Sequence, residues 1–357
     1  MAKTTSLHGK HVSLGAKMGE FAGFDMPLQY TSVKEEVLAV RESLGVFDVS
    51  HMGQFFVDGP DAVNFVDYLL PNDFKNAGSL KAVYSPLCRE DGTVVDDLIA
   101  YKLADNHVLI CVNASNIDKD WAWINFKLTS RFNVKLSNQS DEFSLLAVQG
   151  PKTEQVFTKL GLMNAGEEFP YYSIKERPAQ KLIIARTGYT GEDGFELYGS
   201  HETIAKLWEQ LLKEGAVPCG LVARDVLRLE VCYPLYGHEI NDMVTPLDAG
   251  LKWTVKLDKP EFIGKAALSA YEPRYQLVKL SLEKGIPREG YEVVNDADQV
   301  IGKVTSGTMS VVANIGIAMC MIEKDKAPKD KKYSIRIRNK AVAASYHTKP
   351  FVTGGHK

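Results

Sequence analysis

Two adjacent carboxylates, Asp96 and Asp97, lie inside an otherwise apolar run, Gly92-Thr-Val-Val-Asp-Asp-Leu-Ile. The run reads as a strand, and neighbouring residues on a strand point to opposite faces. One carboxylate then faces solvent or a backbone donor, and the other faces inward. An inward carboxylate among Val95, Leu98 and Ile99 is costly unless partnered, which makes the pair a candidate for chemistry. The plainer alternative is a hairpin-end aspartate satisfying backbone amides.

Three further segments carry unusual side-chain density. Thr187-Gly-Tyr-Thr-Gly-Glu-Asp-Gly-Phe-Glu-Leu places three glycines within seven positions, a tight turn where a ligand or backbone comes close, and Glu196 follows on the departing strand. Its acidic residues could instead be merely solubilising. Gly220-Leu-Val-Ala-Arg-Asp-Val-Leu-Arg-Leu-Glu puts Arg224 and Asp225 at a helix start, with Arg228 one turn on from Arg224 on the same face. Cys232-Tyr-Pro-Leu-Tyr-Gly-His-Glu packs two tyrosines, a proline and a glycine into a short loop. Together they supply two acids (Asp97, Glu196), a planar donor fork (Arg224) and aromatics (Tyr189, Tyr236). That inventory suits a flat, amide-rich heterocycle: a carboxylate matches adjacent N–H donors of an aminopyrimidinone edge, and arginine matches carbonyl or carboxylate groups.

Other chemistries lack their residues. There is no phosphate-binding glycine loop, no GxSxG and no HExxH. His51 and His238 occupy glycine-punctuated stretches without a partner at ligand spacing, and read as hydrogen-bonded structural residues. Cys88, Cys111, Cys219, Cys232 and Cys320 are scattered without CxxC spacing, as expected of buried, reduced thiols in a cytoplasmic protein. Neither a metal site nor a disulfide framework is expected. A formal net charge of -3 and the lack of any Lys/Arg block argue against nucleic acid. No apolar run approaches the roughly 20 residues that span a bilayer, and the polar stretch Met1–Lys10 has no signal-peptide core, so no membrane is expected.

The elements that must position these residues are mixed. At 357 residues the chain is long enough for two to three domains, and 45% hydrophobic content is that of a globular protein. Strand-like and helix-like segments alternate irregularly, which predicts an α+β fold. Phe55–Val57 and Val108–Val112 read as strands, and Ala62–Leu70, Thr203–Glu214 and Asp225–Val231 as helices. In the second helix Ile204, Leu207, Leu211 and Leu212 recur at core-facing spacing. Residues 257–275, with Pro260 and Pro273, read as a linker. Beyond them Leu277–Leu282, Gln299–Val304, Ile315–Cys320 and Tyr333–Ile337 predict a small all-β module, with the charged segment Lys324–Lys332 as a loop.

In order along the chain stand Gly15-Ala-Lys-Met, Phe21-Ala-Gly-Phe, Met26-Pro-Leu-Gln-Tyr, Gly45-Val-Phe-Asp-Val-Ser-His-Met-Gly, Asp96-Asp97-Leu-Ile, Leu146-Ala-Val-Gln-Gly-Pro, Gly188-Tyr-Thr-Gly-Glu-Asp-Gly, Ala223-Arg-Asp, Arg228-Leu-Glu, Leu235-Tyr-Gly-His-Glu-Ile and Thr305-Ser-Gly. Over nearly its whole length the sequence resembles the aminomethyltransferase, or T protein, family of the glycine cleavage system. The resemblance implies three domains around a central channel for tetrahydrofolate, with a ferredoxin-like middle portion and a C-terminal β-barrel. The boundaries would be 1–50 with 141–256 for a folate-binding domain, 51–140 for an inserted domain, and 276–357 for the barrel. It implies transfer of an aminomethyl group from the lipoyl arm of H protein, release of ammonia and formation of 5,10-methylenetetrahydrofolate.

By the same resemblance Asp97 is the catalytic carboxylate, with Asp96 its outward or structural neighbour. Glu196 is the pterin-binding acid and Arg224 a folate contact. Tyr189 and Tyr236 match aromatic positions near the folate, and Met52, Tyr84, Tyr101 and Asn113 are lining residues. The alternatives are a folate-dependent demethylase of the same superfamily and a non-catalytic folate-binding protein. The sequence departs from the family at Cys232-Tyr233 and in the tail Lys349–Lys357, which lacks the terminal aromatic or arginine of some members.

Overall fold

The computed structural model describes residues 2–355, so Met1 and the last two residues of the divergent tail, His356 and Lys357, lie outside it. Three β-structures organise the chain. The first is a six-stranded sheet in the order Ile174–Arg177, Leu182–Ala185, Gly194–Ser200, Phe143–Gln149, Gly45–Asp48 and Val217–Pro218. Against one face packs helix His201–Lys213. Ser200 caps it by accepting from the Thr203 N–H (3.3 Å), and Ile204, Leu207, Trp208 and Leu211 form its buried stripe. Leu212 is only partly buried against the same core. Helix Leu221–Glu230 begins one turn earlier than its apolar pattern suggested, at Gly220. It buries Ala223, Val226 and Leu227 in the core shared with helix Val33–Glu42.

The second sheet is antiparallel, in the order Ala82–Cys88, Val94–Ala104, His107–Val112, Gly53–Asp58 and Lys135–Asn138. Set aside the edge strand Ala82–Cys88, and the remaining strands with helices Ala62–Leu69 and Ile117–Lys127 form a β-α-β-β-α-β unit in spatial order 2-3-1-4, which is ferredoxin-like. Phe65, Val66 and Leu69 of one helix, and Ile124 of the other, fill its core with Phe55, Leu98 and Ile110. The first part of the 257–275 stretch packs onto this unit. Ile263 joins its core, and the Lys259 ammonium donates to the carbonyls of Asp67 (2.7 Å), Leu70 (2.8 Å) and Asn72 (2.8 Å).

The third structure is a closed six-stranded barrel: Tyr275–Leu282, Gly316–Glu323, Val300–Met309, Glu292–Val294, Tyr333–Ile337 and Lys340–His347, the last pairing back onto the first. Closure removes the free strand edges, and Leu280, Val293, Val304, Cys320 and Ile335 fill the interior. The charged segment 324–332 is a loop between two of these strands. Buried charge joins the barrel to helix Leu221–Glu230. Arg228 donates to Ser306 Oγ (2.8 Å), and Glu230 Oε1 accepts from Ser310 Oγ (2.8 Å) and the N–H groups of Val311 (3.0 Å) and Val312 (3.1 Å). Among the described residues no helix is long and apolar enough to cross a membrane.

Candidate active site

Strand Val94–Ala104 carries the acidic pair, and alternation sends its two carboxylates to opposite faces. Asp97 is half-buried. Its Oδ2 accepts from the Tyr84 hydroxyl (2.9 Å) and its Oδ1 from Asn113 Nδ2 (2.9 Å). No salt bridge to a lysine or arginine reaches it among the described residues, and burial, followed by the charge of Asp96, pushes it up to about 7. Burial, then the charge of Asp97, holds the Tyr84 phenol well above its ordinary range, so Tyr84 acts here as a donor. The Tyr84 ring stacks on Trp253 (5.9 Å between centroids).

Asp96 is not an outward neighbour: it is 0% exposed. The reason is its second layer. Helix Ile117–Lys127 and the turn before it cover that face of the strand, and there Asp96 accepts from Asn113 N (3.2 Å), Asn113 Nδ2 (2.9 Å) and Asn116 Nδ2 (2.6 Å). Asn113 thus touches both carboxylates. Asp96 does find the backbone donor that strand alternation asked of the second acid.

Glu196 leaves the glycine-rich turn on strand Gly194–Ser200. Its Oε2 accepts from Thr187 Oγ1 (2.5 Å) and the Tyr101 hydroxyl (3.3 Å), and Tyr101 in turn meets the Tyr198 hydroxyl (2.9 Å). Tyr101 has no exposed surface, so it supports Glu196 from behind rather than lining open space. The turn needs its glycines. Gly191 has φ +79°, and a Cβ there would stand 2.3 Å from Val231; one at Gly188 would stand 2.0 Å from Gln149 Oε1. That close approach lets Gln149 hold the Thr187 carbonyl (3.1 Å) and accept from Thr190 Oγ1 (2.8 Å).

Arg224 projects from helix Leu221–Glu230 over the Tyr189 ring, 5.0 Å from its centroid. Its Nη1 is buried with no partner among the described residues, and burial pulls its pKa below the usual value despite Glu196 nearby. An uncompensated guanidinium facing a carboxylate lacking a direct salt bridge to it is a poor structural arrangement and a good ligand site. Arg228, one turn on, is used differently: it pairs with Glu239 (3.1 Å) and Asp225 (2.8 Å) and is 1% exposed. The Tyr189 hydroxyl donates to the Pro234 carbonyl, and its ring stacks on Tyr233 (5.9 Å).

The sequence-derived residues therefore fall into adjoining groups. Tyr84, Asp97 and Asn113 form one; Glu196 and Tyr101 a second; Arg224 and Tyr189 a third. Tyr189 and the unforeseen Tyr172 (φ +55°) connect them electrostatically, Tyr172 sensing both Glu196 and Asp97. Tyr236 packs with Tyr84 around Val94, Ile240 and Leu251, and accepts from Lys119 (2.6 Å). Met52 packs against the core that holds Tyr101 and Ala223, and borders a cavity of about 510 Å³ with Lys3, Phe24, His51 and His201. His51 Nδ1 has no hydrogen-bond partner among the described residues; burial keeps the ring neutral, lowered to about 4, among Phe21 and Phe24. His238 does bond, to the Thr305 carbonyl (3.0 Å). Thr187, Asn116, Asp120 and Tyr198 were not picked out from the sequence, although Thr187 opens the glycine-rich segment itself. No cluster of three or more His, Cys, Asp or Glu that could hold a metal occurs among the described residues.

The description of the GCVT N-terminal domain matches residues 7–259, and that of the glycine cleavage T-protein C-terminal barrel domain matches residues 276–353. An aminomethyltransferase of Thermosipho melanesiensis is 46% identical over 99% of this chain and 98% of its own. One from Thermotoga maritima is 43% identical over the same shares. The crystal structure of glycine cleavage system aminomethyltransferase T from Bartonella henselae superposes with a TM-score of 0.93, at 34% identity and 99% coverage of both chains. The resemblance read from the sequence holds at the level of sequence and of fold, and the chain belongs to the glycine cleavage T-protein family of aminomethyltransferases.

Proposed function

We propose that this chain takes an aminomethyl group from the lipoyl arm of H protein, releases ammonia, returns the carrier thiol and forms 5,10-methylenetetrahydrofolate. The observation that carries the reading is Asp97, a half-buried carboxylate held by Tyr84 and Asn113 and without a bonded cation among the described residues. The residues present fit tetrahydrofolate: Glu196 offers a carboxylate to a pterin edge, and Arg224 offers an unpartnered donor. Tetrahydrofolate supplies the two accepting nitrogens.

The protein's part follows from its own atoms. Glu196, braced by Thr187 and Tyr101, orients the heterocycle, and Arg224 over Tyr189 anchors a carbonyl or carboxylate. Asp97 stabilises the positive charge that develops at the transferred carbon as ammonia leaves, and accepts a proton as the new ring closes. Both roles need the carboxylate form. We read residues 1–50 with 141–256 as the folate-holding unit and 51–140 as the unit that brings Asp97 to it, in a cytoplasmic enzyme.

The test is reconstitution with tetrahydrofolate and either aminomethylated lipoyl H protein or methylated sulfur and amine donors. Ammonia release with the lipoyl donor alone is expected. Turnover only with methylated donors supports a demethylase instead, and folate binding without turnover of any donor supports a non-catalytic binder.

A further inference from the structure

Behind the Asp97 site lies a third carboxyl that the proposed reaction does not use. Asp120 sits on helix Ile117–Lys127, is 0% exposed, and faces Asp96. Neither of its oxygens receives a hydrogen bond from any donor among the described residues. Every nearby amide is already committed. Asn116 Nδ2 donates to Asp96 (2.6 Å), and Asn113 donates to Asp96 and Asp97. Lys119, the adjacent cation, is turned to the Tyr236 hydroxyl (2.6 Å). Helix Ile117–Lys127 packs on the strand of Asp96, and two neighbouring carboxylates with no cation bonded to either among the described residues cannot both stay ionised in a buried place. The one bond open to Asp120 is a bond it donates itself, as a neutral acid, to Asp96.

We propose that Asp120 is a positioning residue for the Asp97 chemistry: it holds one proton between itself and Asp96, keeps Asp96 a carboxylate, and thereby fixes Asn113 and the charge that Asp97 faces. Asp96 then accepts from Asn113 N, Asn113 Nδ2, Asn116 Nδ2 and the Asp120 acid. Its charge, second only to burial, lifts Asp97 toward neutrality. Burial, then Asp96, lifts Asp120 to about 11, with Lys119 pulling the other way and Asp97 adding to the rise. The remaining titratable groups around the row are Tyr84, Tyr172 and Tyr189 toward Asp97, and Cys111 and Tyr236 toward Asp96, with the tyrosine and cysteine protons held firmly by burial. This inference rests on the reading of Asp97 as the reacting carboxylate.

Two measurements test it on the full chain. Infrared spectra of protein labelled with ¹³C-carboxyl aspartate, at pH 8.5, should show one protonated-acid carbonyl band that persists in Asp97→Asn and vanishes in Asp120→Asn. Second, the acid limb of the kcat/KM profile should move down by about one pH unit in Asp120→Leu, because Asp96 then takes up a proton itself and stops repelling Asp97. Asp120→Asn, whose amide donates to Asp96 in place of the acid, should rescue the limb. Absence of the band in wild type, its survival in Asp120→Asn, or an unmoved limb in folded Asp120→Leu overturns the proposal. If Asp120→Leu does not fold, the infrared arms decide alone. Full activity of Asp97→Asn would sink the reading of Asp97 while leaving the acid pair to be judged by its band.

Discussion

Replacing Asp97 by Asn separates charge from shape. The amide keeps an oxygen to accept from Asn113 Nδ2, and its NH2 group can donate to the Tyr84 hydroxyl, which rotates to accept. Geometry and folate affinity should survive, so Kd for tetrahydrofolate is expected within about threefold of wild type. Turnover should not survive. Removing one fixed, oppositely charged group from a developing charge costs about 3–4 kcal/mol in comparable sites, roughly a 100- to 1000-fold loss in kcat.

The same substitution has a stability consequence whose sign is opposite. Burial raises Asp97 from 3.8 to about 7 in the folded chain. A raised carboxyl favours the protonated fold: the stability it contributes is complete below the unfolded value and is lost as pH rises through about 7. A lift from 3.8 to about 7 corresponds to at most about 4 kcal/mol of ionisation strain by pH 8. Asparagine carries none of it. Asp97→Asn should therefore melt higher than wild type at pH 8 and by a much smaller margin, about 1 kcal/mol, at pH 4.5. Wild-type kcat/KM should fall about tenfold per pH unit below 7. Calorimetric titration, ammonia release and thermal melts at the two pH values read all three. A variant that turns over within tenfold of wild type, or that loses folate binding, refutes the assignment of Asp97 to transition-state charge.

The other residues give sharper single readouts. Glu196→Gln sets an amide donor against the N–H donors of the pterin edge and should weaken tetrahydrofolate binding by about 3 kcal/mol, roughly 100-fold, by calorimetry. Arg224→Leu removes a guanidinium whose buried Nη1 has no partner among the described residues, so it should raise the melting temperature without ligand while lowering folate affinity at least about tenfold. Glu230→Ala leaves Arg41 short of a partner and strands the Ser310, Val311 and Val312 donors, costing about 3–5 kcal/mol in denaturant unfolding. Cys232 is the one half-buried thiol, lifted by burial to about 11, and the other four are buried, so thiol reagents at pH 8 should label the native chain slowly and the denatured chain at once.

Local pattern was enough wherever one face of an element meets a core. Helix His201–Lys213 and barrel strand Tyr333–Ile337 stand where periodicity and β-branched content put them. Barrel strand Lys340–His347 escaped because its alternation of small and polar residues, Ala341, Ala343 and Ala344 among them, leaves it half-exposed and without an apolar signature. Glu292–Val294 is too short to signal anything. Of the site, the dense segments were legible because glycine and paired charge are costly without cause. Asp120 was not, since a single aspartate on a helix is ordinary until the helix is known to lie on Asp96. The same ignorance of layering left Asp96 open between an outward and a structural place. Strand alternation settles which side a residue takes, but not whether that side is wet.

The arrangement shares one electrostatic property. Without ligand, Asp97 is raised by burial, Arg224 is lowered by burial, and neither has a counter-ion bound directly to it among the described residues. Each strain lessens only if something charged or polar arrives beside it. A ligand bearing donors at one end and acceptors at the other meets Glu196 and Arg224 together, and relief of strain at Arg224 appears as binding energy. The site should therefore discriminate against molecules that satisfy one end alone. A pterin without the benzoyl-glutamate portion would meet Glu196 but leave Arg224 bare, whereas p-aminobenzoylglutamate would do the reverse. Each fragment should bind far more weakly than half of the whole ligand's free energy implies, because each leaves one end of the site, Glu196 or Arg224, without its ligand group. If the two fragments together stabilised the chain against heat as much as intact tetrahydrofolate at equal concentration, the two charges would not be acting as one site.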